Sequence, residues 1–315
     1  MNKTKIIVAG IGGVGGYFGG ILANHYQHSD EVSVYFIARG ENLKRIQSHG
    51  LQVKKGDRSF IAQPKLTTDQ ASEIGIVDFI ILSTKSYDLE AMIEQLHPCI
   101  NKETIILPLL NGVDSKEKIK KMLPENLILD GCVYIVARLT EPGLVENKGN
   151  LQKLFFGLNK VVNEKLMAFE KLLIAGGIEA TLSPSISTIT WEKFIFISPT
   201  ASATSYFNSS IGTILNDPEK FKIIQKLIEE IKLIAKAKKI VVATDISEKT
   251  VAILRALPPE TTSSMHSDIL NNKPMNELES LIGYVVKEGK KMNLPIPVYE
   301  RVYAELKEQI NAKSV

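Results

Sequence analysis

Lys5-Ile-Ile-Val-Ala-Gly-Ile-Gly-Gly-Val-Gly-Gly-Tyr-Phe-Gly-Gly-Ile-Leu-Ala23 is the stretch that decides the fold. Ile6 to Ala9 is an apolar run that reads as a buried strand. Gly10, Gly12 and Gly15 follow in Gly-X-Gly-X-X-Gly spacing, and Val14, Phe18, Ile21 and Leu22 recur at helical intervals. Strand, glycine turn and helix in that order is the context a dinucleotide-binding turn requires. The first glycine permits the tight turn, the second lets backbone approach a pyrophosphate, and the third lets helix pack on strand. The helix N-terminus then offers N–H groups and partial positive charge to the phosphates. The spacing alone also fits a glycine-rich turn in another α/β protein; the flanking strand and helix carry the assignment. Nucleotide contacts are expected along Gly10, Ile11, Gly12, Gly13, Val14 and Gly15.

The rest of the chain narrows the class. At 315 residues it is long enough for two domains. With 44% hydrophobic and 23% charged residues it has an ordinary globular composition, and a net charge of +3 is too small to argue for nucleic acid. Cys99 and Cys132 are far apart and read as buried thiols in a reducing compartment, without disulfide or metal-ligand spacing. The histidines form no metal-binding pair, so no metal is expected. No run approaches the roughly 18 apolar residues of a membrane span. The glycines make a poor signal-peptide core, so a cytoplasmic protein is expected.

Outward from the first helix, Glu31 to Ile37 reads as a second parallel strand, ending at Ala38-Arg39-Gly40. An acidic residue near this point holds the ribose 2′-hydroxyl in NAD-binding versions of the fold, whereas an arginine suits a 2′-phosphate. Arg39 therefore favours NADP; the alternative is a surface arginine at a strand end. Leu51 to Ala62 reads as two short strands around Gly56-Asp57. Val77 to Leu82 is a buried strand with Ser83-Thr84-Lys85 at its carboxyl end, which places Lys85 to reach cofactor or substrate. Glu103 to Leu110 is another strand. Asn111-Gly112 at its end is either a turn or a site element. Asn126 to Val136 reads as one strand. Gly143 to Asn147 and Lys153 to Phe156 read as an antiparallel pair around Gly149-Asn150.

After Ser183 the pattern turns almost wholly helical. This predicts a Rossmann-type NADP-binding domain over 1–183 and an all-helical substrate domain over 184–315, with the catalytic cleft expected between them. Ser183 is the expected cap of a long helix from Ser185 to Phe207, in which Pro199 is the expected place for a kink, and Ser247 the expected cap of a short one. Lys193 lies among Ile189, Trp191, Phe194, Ile195 and Phe196. Facing inward, it would be desolvated, its pKa lowered, and usable as a general acid; alternatively it snorkels to solvent. Ser263-Ser264 at a helix start offers hydroxyls to a carboxylate or simply caps the helix. A carboxylate of Asn276-Glu277-Leu278-Glu279 either faces the site and pairs with Lys193 or is surface charge.

Taken together, these segments resemble the ketopantoate reductase family (2-dehydropantoate 2-reductase) along the whole chain. The matching segments are Gly10 to Gly15, Ala38-Arg39-Gly40, Thr84-Lys85-Ser86-Tyr87, Leu110-Asn111-Gly112-Val113, Trp191-Glu192-Lys193, Ser264-Met265, and Asn276 to Glu279 before Gly283-Tyr284. The resemblance implies NADPH-dependent reduction of a 2-keto acid in pantothenate and coenzyme A synthesis, by a monomer or homodimer. By position it implies that Arg39 binds the 2′-phosphate and that Lys85 and Asn111 line the junction of cofactor and substrate. It implies that Lys193 protonates the keto oxygen, that Glu277 orients that lysine, and that Ser264 holds the substrate carboxylate. Two departures stand out. The family helix carries asparagines four and eight residues after the lysine, where this chain has Ile197 and Ala201. These lie on the face of Lys193, so a more apolar 2-keto acid is the alternative substrate, with Thr200 the hydroxyl best placed to compensate. Glu277 also sits one residue further from Ser264 than in the family, with Asn276 the strict-spacing alternative.

Overall fold

The structure, a computed structural model, describes residues 3–312. It divides into two compact units, one running through Leu110 and resuming over Ser115–Ile186, the other comprising Asn111–Asp114 and the chain from Ser187 on.

The first unit is α/β. Its elements are β1 (Thr4–Ala9), α1 (Gly13–Tyr26), β2 (Val32–Ile37), α2 (Gly40–His49), β3 (Leu51–Lys55), β4 (Arg58–Ala62), β5 (Leu66–Thr68), β6 (Phe79–Leu82), α3 (Leu89–Leu96), β7 (Ile105–Pro108), α4 (Ser115–Met122), β8 (Leu127–Ile128), β9 (Asp130–Glu141), β10 (Leu144–Gly157), α5 (Glu164–Ala175) and β11 (Glu179–Leu182). Six strands form a parallel sheet in the order β5-β2-β1-β6-β7-β8. Once the β3–β4 hairpin is set aside, this is the doubly wound order that reverses direction between its first strand and its fourth. That switch point lies between β1 and β6. The strands are apolar on both faces because both are covered. Ile6 and Val8 join a core with Phe18, Leu22 and Phe36, while Ile7 and Ala9 point the other way toward Leu89 and Ile93 of α3.

A second sheet, β11-β10-β3-β4 with β9 paired to β10, corrects two expectations. Asn126 to Val136 is not one strand. Leu129 donates to the Ile106 carbonyl, and Gly131 has no side chain to strike the Pro108 carbonyl, so β8 closes the first sheet and β9 enters the second. Gly149-Asn150 is not a turn either. β10 runs straight through it, and a register shift between Asn147 and Gln152 takes up the irregularity. The turn is Pro142-Gly143, where Gly143 has φ +76° and β9 folds back on β10.

The second unit is helical: α6 (Ile186–Tyr206), α7 (Ile211–Asn216), α8 (Pro218–Ala237), α9 (Ile246–Ala256), α10 (Ser264–Leu270), α11 (Tyr284–Lys291) and α12 (Pro297–Ala312). A single π-helical turn, Glu279–Gly283, leads into α11. Phe194 and Ile195 of α6, Ile224, Leu227 and Ile231 of α8, and Tyr299 and Val302 of α12 share one core. The two serines expected as caps differ. Ser183 is still held to the sheet by its N–H, which donates to the Phe156 carbonyl, while its hydroxyl accepts from Ser185 N at 3.1 Å just ahead of α6, which starts at Ile186. Ser247 lies inside α9, where its hydroxyl donates to Glu229. α6 continues through Pro199 to Tyr206. Among the described residues, no helix is long and apolar enough to cross a membrane and no cluster of three metal-ligating side chains is found.

Candidate functional site

The glycine turn is a backbone structure. Gly10 has φ +90°, and a Cβ there would sit 2.8 Å from the Ser83 carbonyl carbon and the Thr84 nitrogen. Glycine is therefore required on both conformational and steric grounds. A Cβ on Gly15 would collide with the Gly10 carbonyl, and one on Gly13 with the Ala137 carbonyl. Gly12 differs: it occupies the N-cap of α1 in an extended conformation, and a Cβ there would meet nothing within 4 Å. The first turn of α1 carries no acidic residue and no side-chain cap. An anion is thus the natural partner for its N–H groups. Ile11 and Val14 pack into the core, so they contribute backbone rather than side chain.

The neighbours of the turn are fixed by hydrogen bonds. Gly10 donates to the Ile37 carbonyl at 3.2 Å and Ser83 to the Ala9 carbonyl at 2.8 Å, which brings the carboxyl ends of β2 and β6 beside the glycines. Arg39 follows β2 as the N-cap residue of α2. Lys85, partly buried, follows β6 at the head of a 3₁₀ turn, Ser86–Asp88. The hydroxyls of Ser83 and Thr84 are buried without a hydrogen-bond partner. Such orphaned groups are rare unless a ligand or water completes them. The open space at Gly12, the uncapped helix and these hydroxyls together fit a bound dinucleotide. Asn42 also belongs here. Its Nδ2 donates to the Ile11 carbonyl at 2.9 Å and its Oδ1 accepts from Gly143 N at 2.8 Å, splinting the turn. No sequence pattern marks that role; only the pairing of distant segments reveals it.

The second unit holds a group made of side chains. Lys193 on α6 is partly buried, and its Nζ donates to Asn111 Oδ1 at 3.1 Å. Trp191 and Phe194 beside it pack edge-on, and both approach Tyr284. Gly112, at φ +97°, turns back so closely that a Cβ would lie 3.4 Å from the Ser280 carbonyl. Ser280 in turn donates to the Glu277 carbonyl. Glu277 is only 2% exposed, a carboxylate committed to the interior, while Asn276 caps the following turn by accepting from Leu278 N at 3.0 Å. Of the two spacing alternatives, Glu277 is the buried one and Asn276 the one spent on a turn.

Ser264 is exposed as the first residue of α10, and the cap is its neighbour Ser263, which accepts from His266 N at 3.0 Å. Thr200 is buried with its hydroxyl donating to Phe196 O of its own helix at 2.6 Å. Ser198 points into the core, against Leu281 O and the Tyr299 hydroxyl. Ile197 and Ala201 pack with the helical core.

A glycine turn at the switch point of a parallel sheet, followed by a helical unit bearing a half-buried lysine, defines an α/β dinucleotide-binding oxidoreductase. The family model described as ketopantoate reductase PanE/ApbA matches residues 6–160, and its C-terminal counterpart matches residues 185–310. The chain belongs to the ketopantoate reductase family. It is 30% identical over 305 residues to "Uncharacterized oxidoreductase YkpB" of Bacillus subtilis (strain 168), covering 96% of this chain and 97% of that one. It is 26% identical to a 2-dehydropantoate 2-reductase of Lactococcus lactis, with 93% and 94% covered. Among solved structures, a 2-dehydropantoate 2-reductase from Porphyromonas gingivalis W83 superposes with a TM-score of 0.85 at 35% identity, covering 97% of this chain and 99% of that one.

Proposed function

We propose that this protein reduces 2-dehydropantoate to pantoate with NADPH. The observation that carries the reading is the Lys193–Asn111 hydrogen bond, which aims an ammonium from within an aromatic surround. When bound, NADPH would supply the hydride that the keto carbon receives. Negative charge then collects on the keto oxygen, where Lys193 Nζ both stabilises it and delivers a proton. The C=O bond becomes CH–OH, and the amine of Lys193 is reprotonated from solvent. Asn111 accepts one Nζ proton and so fixes the direction of the others. Glu277, buried and acidic, offsets the lysine charge and offers an acceptor to the substrate hydroxyl. Arg39 would hold the 2′-phosphate, the Gly10–Gly15 backbone the pyrophosphate, Lys85 the cofactor and substrate at their junction, and Ser264 the substrate carboxylate.

Ile197 and Ala201 favour a second reading, in which the substrate is a 2-keto acid lacking the hydroxyl. A site that hydrogen-bonds a substrate hydroxyl discriminates strongly because unpaired polar groups are costly, and these two positions supply none. Initial rates of NADPH oxidation with ketopantoate and with 2-oxoisovalerate separate the two. A higher kcat/KM for ketopantoate supports the first reading, a higher value for 2-oxoisovalerate the second, and no turnover with either overturns both.

A further inference from the structure

Asp88 ends the 3₁₀ turn Ser86–Asp88 that runs straight into α3, and its φ/ψ of −92°/−2° is helical rather than the extended form from which a side chain caps helix N–H groups. It makes no such bond. Its Oδ2 accepts instead from Arg39 Nη2 at 2.7 Å. The partners are 49 residues apart in the chain and reach each other from the carboxyl-end loops after β2 and β6, the two strands that flank β1. The Arg39 side chain is 78% exposed and that of Asp88 26%. An ion pair so open to water adds little to stability, so stability does not explain why the carboxylate is used in this way.

We propose that Asp88 is the residue that sets coenzyme choice. It holds the Arg39 guanidinium at the ribose 2′ position and keeps a negative charge there. A 2′-phosphate has to draw Arg39 away against that charge. A 2′-hydroxyl donates a hydrogen bond to the carboxylate instead. The chain therefore separates NADPH from NADH less sharply than Arg39 alone would. This rests on the reading of the glycine turn and Arg39 as the coenzyme site, and not on which keto acid is reduced.

The test is calorimetric titration of the full chain with 2′,5′-ADP and with 5′-AMP, which carry the discriminating half of each coenzyme and undergo no reduction. Asp88→Asn keeps the shape and removes the charge. It is expected to tighten 2′,5′-ADP by about three- to tenfold at low salt while 5′-AMP is unchanged or weaker. Asp88→Glu keeps the charge and should retain the wild-type ratio of the two affinities. An unchanged ratio in Asp88→Asn, or an equal weakening of both ligands, overturns the inference while leaving the coenzyme site in place. A ratio shifted equally by Asp88→Glu shows that charge is not the cause and overturns it as well. A folded wild-type chain that binds neither ligand removes the coenzyme assignment and this inference together.

Discussion

The glycine turn and the lysine group are built from different materials. The turn is made of backbone: Gly10, Gly13 and Gly15 are required because main-chain carbonyls or amides stand where a Cβ would be. At the lysine group, the proposed chemistry rests on side chains from separate segments: Lys193 and Asn111, joined by one 3.1 Å hydrogen bond beside ring contacts, and the buried Glu277. A backbone site tolerates almost no local change but specifies little about what is bound beyond its phosphates. A side-chain site keeps its fold when edited and can be redirected by single replacements.

If that contrast is right, removing the lysine should cost the most catalysis and the least structure. Lys193→Ala is expected to lower kcat by about 10²–10⁴-fold, the range for a lost general acid. NADPH affinity, measured by fluorescence titration, should change by no more than about twofold, because the phosphates are expected on the glycine-turn backbone and Arg39 rather than on the lysine. Wild-type turnover in this variant would withdraw the proton-donor role.

The glycines should behave in the opposite sense, and differently from one another. Gly15→Ala drives a methyl into the Gly10 carbonyl and is expected to lose about 1–3 kcal/mol of stability together with NADPH binding. Gly12→Ala places its methyl in open space on ordinary φ/ψ. It should leave the Tm unchanged yet weaken NADPH by about tenfold, as a methyl where the pyrophosphate approaches would. Equal Tm losses in both variants would show that the space over Gly12 is not kept for a ligand.

A smaller effect is expected at the edge of the backbone site, where a side chain takes part. Arg39→Ala should raise KM for NADPH by about ten- to a hundredfold and leave KM for NADH within about twofold, since a charge-assisted contact to phosphate is lost. Equal changes for both coenzymes would break the link between Arg39 and the 2′-phosphate.

The same contrast explains what the sequence disclosed. Strand β1, the glycine turn and α1 are contiguous, and their periodicity and spacing are local properties; that is why the parallel sheet and its coenzyme turn were legible. So was the long helical second half, whose apolar positions recur at helical intervals. Misread were elements whose form depends on distant partners. Gly149-Asn150 has turn chemistry, yet β9 and β10 pair across it. Ser247 has cap chemistry, yet Glu229 on another helix engages its hydroxyl first. Asn42 and Asp88 escaped notice because nothing within their own segments marks them; their partners Ile11, Gly143 and Arg39 lie elsewhere in the chain.

The smallest expected effect concerns stability and pH in the side-chain unit. His266 is 5% exposed, its Nδ1 has no hydrogen-bond partner, and its Nε2 meets Asn208 Oδ1 at 2.8 Å. Burial lowers its pKa below the ordinary 6.5. The folded chain therefore gives up this proton more readily than the unfolded one, and the unfolded state binds more protons once the pH drops below about 6.5. Stability rises with pH across that window and is lost as pH falls through it. Glu230 contributes with the opposite sign. Burial raises its carboxyl although Val298 N and Tyr299 N donate to it, so the folded state binds the extra proton and stability falls with rising pH through its own, more acidic window. The difference between wild type and His266→Gln isolates the histidine. Urea midpoints measured from about pH 5 to 8 should show a shallower rise in the glutamine variant, whose amide can still donate to Asn208. Parallel curves for the two proteins would mean that His266 titrates alike in the folded and unfolded chains, and that its burial imposes no charge penalty.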